Sequence, residues 1–241
     1  MAIAFIFTAS VSLTGQAMAS GEAASTMSPD SALKTLKDGN ARFVAGKSEH
    51  PRADSKRRKE TVEGGQHPFA VVLACSDSRE AVELIFDQGI GDLFVVRVAG
   101  NVSDTDEIGS IEYGAGHLNA PLLVVLGHTK CGAVTAVVKE EKVHGSIPEL
   151  VDNIVPAVAR ARAKKIVGDV LIHEAIKMNV FQSIEDLFKR SGETRELVRS
   201  GKLKVVGAVY DLEKGTVDWL GEHPDQGKLT STAVEGHEHH R

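Results

Sequence analysis

Four short, nearly continuous apolar runs constrain the fold of this chain more than any other feature. They are Phe69–Ala74, Leu93–Val96, Leu122–Leu126 and Leu203–Val209, each bounded by Gly, Pro or Asp. A strand that is apolar on both faces must be covered on both faces, and helical patterns fall between the runs. This combination predicts an α/β fold with a central, mainly parallel sheet of four to five strands flanked by helices. The helices are expected at Glu80–Phe86, Ile108–Leu118, Gly132–Lys139, Pro148–Lys164 and Val170–Arg190. Tyr210 to Val217 reads as a hairpin turn feeding a last, antiparallel strand.

The flanks differ from this core. Ala2 to Leu13 are almost all small or apolar, and Ala17-Met18-Ala19 supplies a small-x-small cleavage pattern, so residues 1–19 read as a secretory signal too short to span a bilayer. That predicts export, in a bacterium to the periplasm, and no membrane span in the mature protein. The absence of Lys or Arg before the apolar run keeps a cytoplasmic alternative open. Residues 20–65 form a helical arm: Ser28-Pro29-Asp30 is a helix start, and Leu33, Leu36 and Phe43 recur at helical intervals. A second, polar helix is expected from Ser55 to Glu63. Residues 66–220 form the core, and 221–241 read as a polar, disordered tail. The formal net charge of −5 offers no footprint for nucleic acid. The one basic run, Lys56-Arg57-Arg58-Lys59, has acidic neighbours and reads as a solvated helix face.

Two loops carry chemistry, and each follows a strand. Cys75-Ser76-Asp77-Ser78-Arg79 succeeds the first run, and Gly127-His128-Thr129-Lys130-Cys131-Gly132 succeeds the third. In open α/β sheets, sites form at the carboxyl ends of strands. If these two strands are neighbours, Cys75, His128 and Cys131 present two thiolates and an imidazole, a zinc ligand set with a fourth position open for catalysis. Two alternatives stand beside this reading. Cys75 and Cys131, the only cysteines, can pair as a disulfide in an oxidising compartment, or lie inert at buried strand ends.

The stretch CSDSR, its spacing to GHTKCGAV, and the intervening FDQGIGDLFVVRVAGN and GSIEYGAGHL together resemble bacterial β-class carbonic anhydrases. The resemblance is detailed from Gln66 to Val134 and looser from Ser28 to Leu220. It implies reversible hydration of carbon dioxide to bicarbonate and a proton, by attack of zinc-bound hydroxide, with one Zn2+ per subunit on Cys75, His128 and Cys131. It makes Asp77 and Arg79 a catalytic dyad, with Asp77 an alternative fourth ligand in a closed state. Gln66 falls where an amide holds the substrate oxygen across a subunit boundary, and Phe94 and Tyr113 fall where rings wall the carbon dioxide pocket. Gly132 brings a backbone N–H beside the last ligand. The implied assembly is a homodimer or higher even oligomer, with the sheet extended across it and the N-terminal arm packing on a partner.

The chain departs from the family pattern at two places. Glu80-Ala81 stands where many relatives have Val-Pro, which is expected to add a charge near the mouth. Val72 stands where the subtype with an inhibitory bicarbonate site carries Trp, which with Gln66 and Tyr113 implies the subtype whose resting zinc carries water. His237, His239 and His240 make a His-rich tail that reads as solvated.

Overall fold

The computed structural model describes residues 27–231; the expected signal segment and the three terminal histidines lie outside them. The described chain runs α1 (Pro29–Val44), α2 (Ser55–Gly64), β1 (Ala70–Ala74), α3 (Val82–Ile85), β2 (Leu93–Arg97), α4 (Thr105–Glu112), β3 (Leu122–His128) and α5 (Gly132–Lys139). It continues through α6 (Ile147–Asp152), α7 (Val155–Ala163), α8 (Gly168–Arg190), α9 (Gly192–Arg199), β4 (Lys204–Tyr210), β5 (Val217–Gly221) and α10 (Gln226–Ser231).

The sheet order is β2-β1-β3-β4-β5, parallel throughout except for the antiparallel β5. All five residues of β1 and all seven of β3 are buried, as their unbroken apolar sequences require. Alternation along each strand divides the core into two layers. Val71, Leu73, Leu123, Val125 and Val205 face α7 and α8, while Val72, Ala74, Val124, Leu126 and Ala208 face α1 and α3. The 23-residue α8 lies close on β3: a Cβ on Gly127 would come within 2.8 Å of a Val180 methyl. No helix among the described residues is long and apolar enough to cross a membrane.

Four expectations are corrected by packing. The helix expected at Pro148–Lys164 is two, α6 and α7, separated by Asn153 and the fully buried Ile154, because Pro156 has no N–H to continue a ladder. The one expected at Ile108–Leu118 begins earlier, at an Asp104–Glu107 capping box, and ends in a π-type turn over Tyr113–His117. The one expected at Glu80–Phe86 shrinks to Val82–Ile85. The segment after Gly221 is ordered at least to Ser231: α10 buries Gln226 and Thr230, and Arg199 Nη1 donates to the Thr230 carbonyl at 2.6 Å.

The N-terminal arm is less dependent on a partner than its sequence suggests. α1 buries Ala32 and Leu36 on its own subunit, and Asn40 donates to the Ile85 and Gly215 carbonyls while accepting from Val217 N–H. α2 buries nothing within the chain, and Val62 on it is 85% exposed.

Candidate metal centre

β1 and β3 pair directly, with Ala74 beside Leu126, so the residues that follow them emerge side by side. Cys75 leaves β1, His128 ends β3, and Cys131 is the N-cap of α5. Lys130 between the latter two adopts φ +57°, which turns the chain sharply enough for both His128 and Cys131 to face inward. The ligating atoms of Cys75, His128 and Cys131 all lie within 4.8 Å of one another, and all three residues are buried. Both cysteines are free thiols, so the disulfide reading falls.

This donor set fits a zinc ion. The three atoms are close enough to share an ion at ordinary Zn–S and Zn–N lengths of about 2.3 and 2.0 Å. His128 Nδ1 contacts the Thr129 carbonyl at 2.9 Å; a carbonyl only accepts, so Nδ1 bears the hydrogen and Nε2 keeps its lone pair. That Nε2 is buried and has no hydrogen-bond partner, an orphan that a cation at the centre of the triad would satisfy. Hydrogen bonding from Cys131 lowers the Cys75 pKa, while the same sharing raises Cys131. Burial opposes charge on His128, but Cys75 and Glu80 outweigh it and raise its pKa. A divalent cation bound here would take the two sulfurs as thiolates and the imidazole at Nε2.

Asp77 and Arg79 form a tight fork. Arg79 Nε donates to Asp77 Oδ1 at 2.9 Å, Nη2 donates to Oδ2 at 2.7 Å, and the Arg79 N–H adds a third bond at 2.9 Å. The Arg79 side chain holds the Asp77 carboxyl well below the usual carboxylate range. Asp77 Oδ2 lies 3.8 Å from His128 Nε2, beside the triad. Gly132, the first residue of α5, has open space where a Cβ would stand.

The other residues implied by resemblance are not gathered here by one chain. Phe94 and Tyr113 adjoin each other, with ring centroids 5.9 Å apart. Phe94 pairs in register with Val71, four residues before Cys75, which puts it about 13 Å back along the sheet from the thiol. Tyr113 is 46% exposed, and Gln66 is exposed on the loop after α2. Glu80 is corrected outright: it is fully buried behind Cys75 and does not charge the mouth.

Sequence reasoning missed the clamp behind the ligands. Arg97, at the end of β2, donates Nε to the Cys75 carbonyl at 3.0 Å and Nη2 to the Asp77 carbonyl at 2.7 Å. Gly100 N–H donates to Cys75 Sγ at 3.2 Å, and the Gly100 carbonyl is held by Asn179 of α8 at 2.7 Å. Gly100 has φ +78°, and a Cβ there would strike Ile154 at 2.7 Å. An arginine closing an apolar strand next to a cysteine-bearing one was the available signal for Arg97. Nothing local marks Asn179.

Comparison with known proteins agrees with this geometry. The profile of the carbonic anhydrase family matches residues 70–217. Carbonic anhydrase 2 of Mycobacterium tuberculosis is 42% identical over 192 residues, covering 78% of this chain and 90% of the relative. The carbonic anhydrase of Mycolicibacterium smegmatis is 40% identical over 205 residues, covering 83% and 98%. The β-carbonic anhydrase CafA of Aspergillus fumigatus superposes with a TM-score of 0.65 at 26% identity, covering 82% of this chain and 96% of that one.

Proposed function

The chain belongs to the carbonic anhydrase family, in its β class, and from that premise we propose that it interconverts carbon dioxide and bicarbonate at one zinc ion per subunit, held by Cys75, His128 and Cys131. The observation that carries the metal assignment is the buried, unpartnered His128 Nε2 facing two thiols within 4.8 Å. When bound, zinc lowers the pKa of a coordinated water to about 7 and supplies a nucleophile at neutral pH. Two thiolates offset the ion's charge, so surrounding groups must assist.

Asp77 gives that assistance. As a carboxylate it only accepts hydrogen bonds, so Oδ2 takes the hydrogen of the attacking oxygen and aims its lone pair at carbon dioxide. The Arg79 fork keeps Asp77 ionised and stops it from swinging in as a fourth ligand. Carbon dioxide gains the oxygen, one proton leaves to buffer, and bicarbonate departs. Gly132 N–H, at the start of α5, suits the developing negative oxygen.

A second copy of the chain belongs to the same reading. Gln66, Phe94 and Tyr113 serve substrate from across a homodimer or larger even oligomer, which gives α2 and the open side of β2 a partner. Export to the periplasm with loss of residues 1–19 is likewise proposed, on the Ala2–Leu13 run and Ala17-Met18-Ala19. Metal analysis with stopped-flow hydration on protein beginning at Ser20 tests the activity. About one zinc per chain and hydration abolished by chelation are expected; zinc-loaded protein that leaves hydration at background would make this a non-catalytic zinc protein.

A further inference from the structure

Glu80 is a fully buried carboxyl that the proposed chemistry does not use. Asp87 and Asp92, the other buried carboxylates among the described residues, are each matched by an arginine, Arg42 and Arg52, at 2.6 Å. Glu80 has no such match. Its Oε2 accepts one hydrogen bond, from the Cys75 N–H at 3.0 Å, and its Oε1 is buried with no partner. Arg97 acts on it only through space, because its own donors go to the Cys75 and Asp77 carbonyls. Burial pushes the Glu80 carboxyl up to about 8. A carboxyl in this state costs stability, and an apolar side chain of similar volume would be better tolerated.

The bond it does make falls on the metal centre. Cys75 lies one residue past β1, and its buried N–H would otherwise be an orphan. Glu80 folds back over five residues to meet it, and the turn is closed by the Glu80 N–H donating to the Asp77 carbonyl at 3.0 Å. The Cys75 peptide is therefore held at its N–H by Glu80 and at its carbonyl by Arg97, with Gly100 on the sulfur.

We propose that Glu80 is a positioning residue for the metal centre, whose side-chain oxygen fixes the Cys75 peptide and so the placement of the Cys75 sulfur in the ligand set. The proposal rests on Cys75 being a zinc ligand. Outer partners of metal ligands typically change metal affinity 10- to 100-fold. The test compares the zinc-loaded parent, Glu80→Gln and Glu80→Met by the rate of zinc release to a chromophoric chelator, and by melting temperature after metal removal. Gln keeps an oxygen for the Cys75 N–H, whereas Met fills the space without one; Glu80→Val repeats the test with a smaller side chain.

Release about tenfold faster in Glu80→Met, restored to within about twofold of the parent in Glu80→Gln, is expected. The metal-free melting temperature of Glu80→Met should equal or exceed the parent's, since an unpaired buried carboxyl has gone. Zinc held by Glu80→Met as long as by the parent, or lost equally by Gln and Met, overturns the proposal. So does a fall in metal-free melting temperature with no selective effect on release. A parent that binds no zinc overturns the metal reading instead, so the two failures are distinguishable.

Discussion

The carboxyl ends of β1 and β3 and the outer edge at β2 hold the two halves of the proposed active site, and they are built differently. Cys75 is gripped through its N–H, its carbonyl and its sulfur, and His128 is oriented by its neighbour's carbonyl. Each of these bonds comes from the same chain. At β2 the rings of Phe94 and Tyr113 rest on each other, with His117 packed on Tyr113 and Tyr113 half open to solvent. Cys75, His128 and Cys131 come together within one subunit, whereas Phe94 and Tyr113 lie apart from them, which under the proposed assembly leaves the substrate side to a second copy. Metal retention and turnover should therefore respond separately to mutation.

The largest effect should follow from removing the fork that orients Asp77 beside the ligands. Arg79→Ala removes the fork while leaving all three metal ligands, so zinc content should stay near that of the parent while kcat falls at least about 100-fold, in the range of a lost acid–base or orienting group. Paired zinc analysis and stopped-flow hydration would show it, and turnover unchanged within twofold would remove the dyad from the mechanism. A smaller effect is expected at the β2 edge. Tyr113→Ala should retain zinc and lower kcat/KM by about tenfold, the scale of a lost apolar contact in a pocket. Zinc lost together with activity would erase the distinction between the halves.

The smallest effect concerns the support of that edge. Asp104 caps α4, which leads into the turn bearing Tyr113, and Arg190 donates to it at 2.7 Å. Asp104→Ala should cost about 1 kcal/mol of stability at neutral pH, with zinc release unaffected. The Arg190 side chain lowers the Asp104 pKa, so the folded state prefers the carboxylate. The contribution is then full above the unfolded value near 4 and is lost as pH falls through the lower folded value. Denaturation of parent and variant should thus converge only in acid; a gap that persisted there would mean the loss is not electrostatic.

What was legible in the sequence followed from patterns that need no long-range information. Unbroken apolar runs mark strands covered on both faces, and β1 to β4 lie where those runs predict. The cysteines and His128 sit at strand ends, so their convergence required only that β1 and β3 be neighbours. Helix ends were harder. The break at Asn153 and Ile154 comes from Pro156, a residue type that also starts helices and so does not by itself mark a stop, and α10 is ordered by its seat on α9, a contact that its polar sequence conceals. Glu80 shows the limit most clearly. By type it belongs in water, yet the loop folds it inward, where it accepts from the Cys75 N–H.

The sequence alone thus determined the α/β class, the parallel sheet and the three sulfur and nitrogen donors, because hydrophobic periodicity and ligand chemistry are properties of residues. Tertiary structure alone decided which face Glu80 turns to, that Arg97 and Gly100 brace Cys75, and that Phe94 lies well back along the sheet from Cys75. Those outcomes depend on satisfying buried polar groups across strands distant in sequence, and no local pattern records which partner a buried N–H or carbonyl will find.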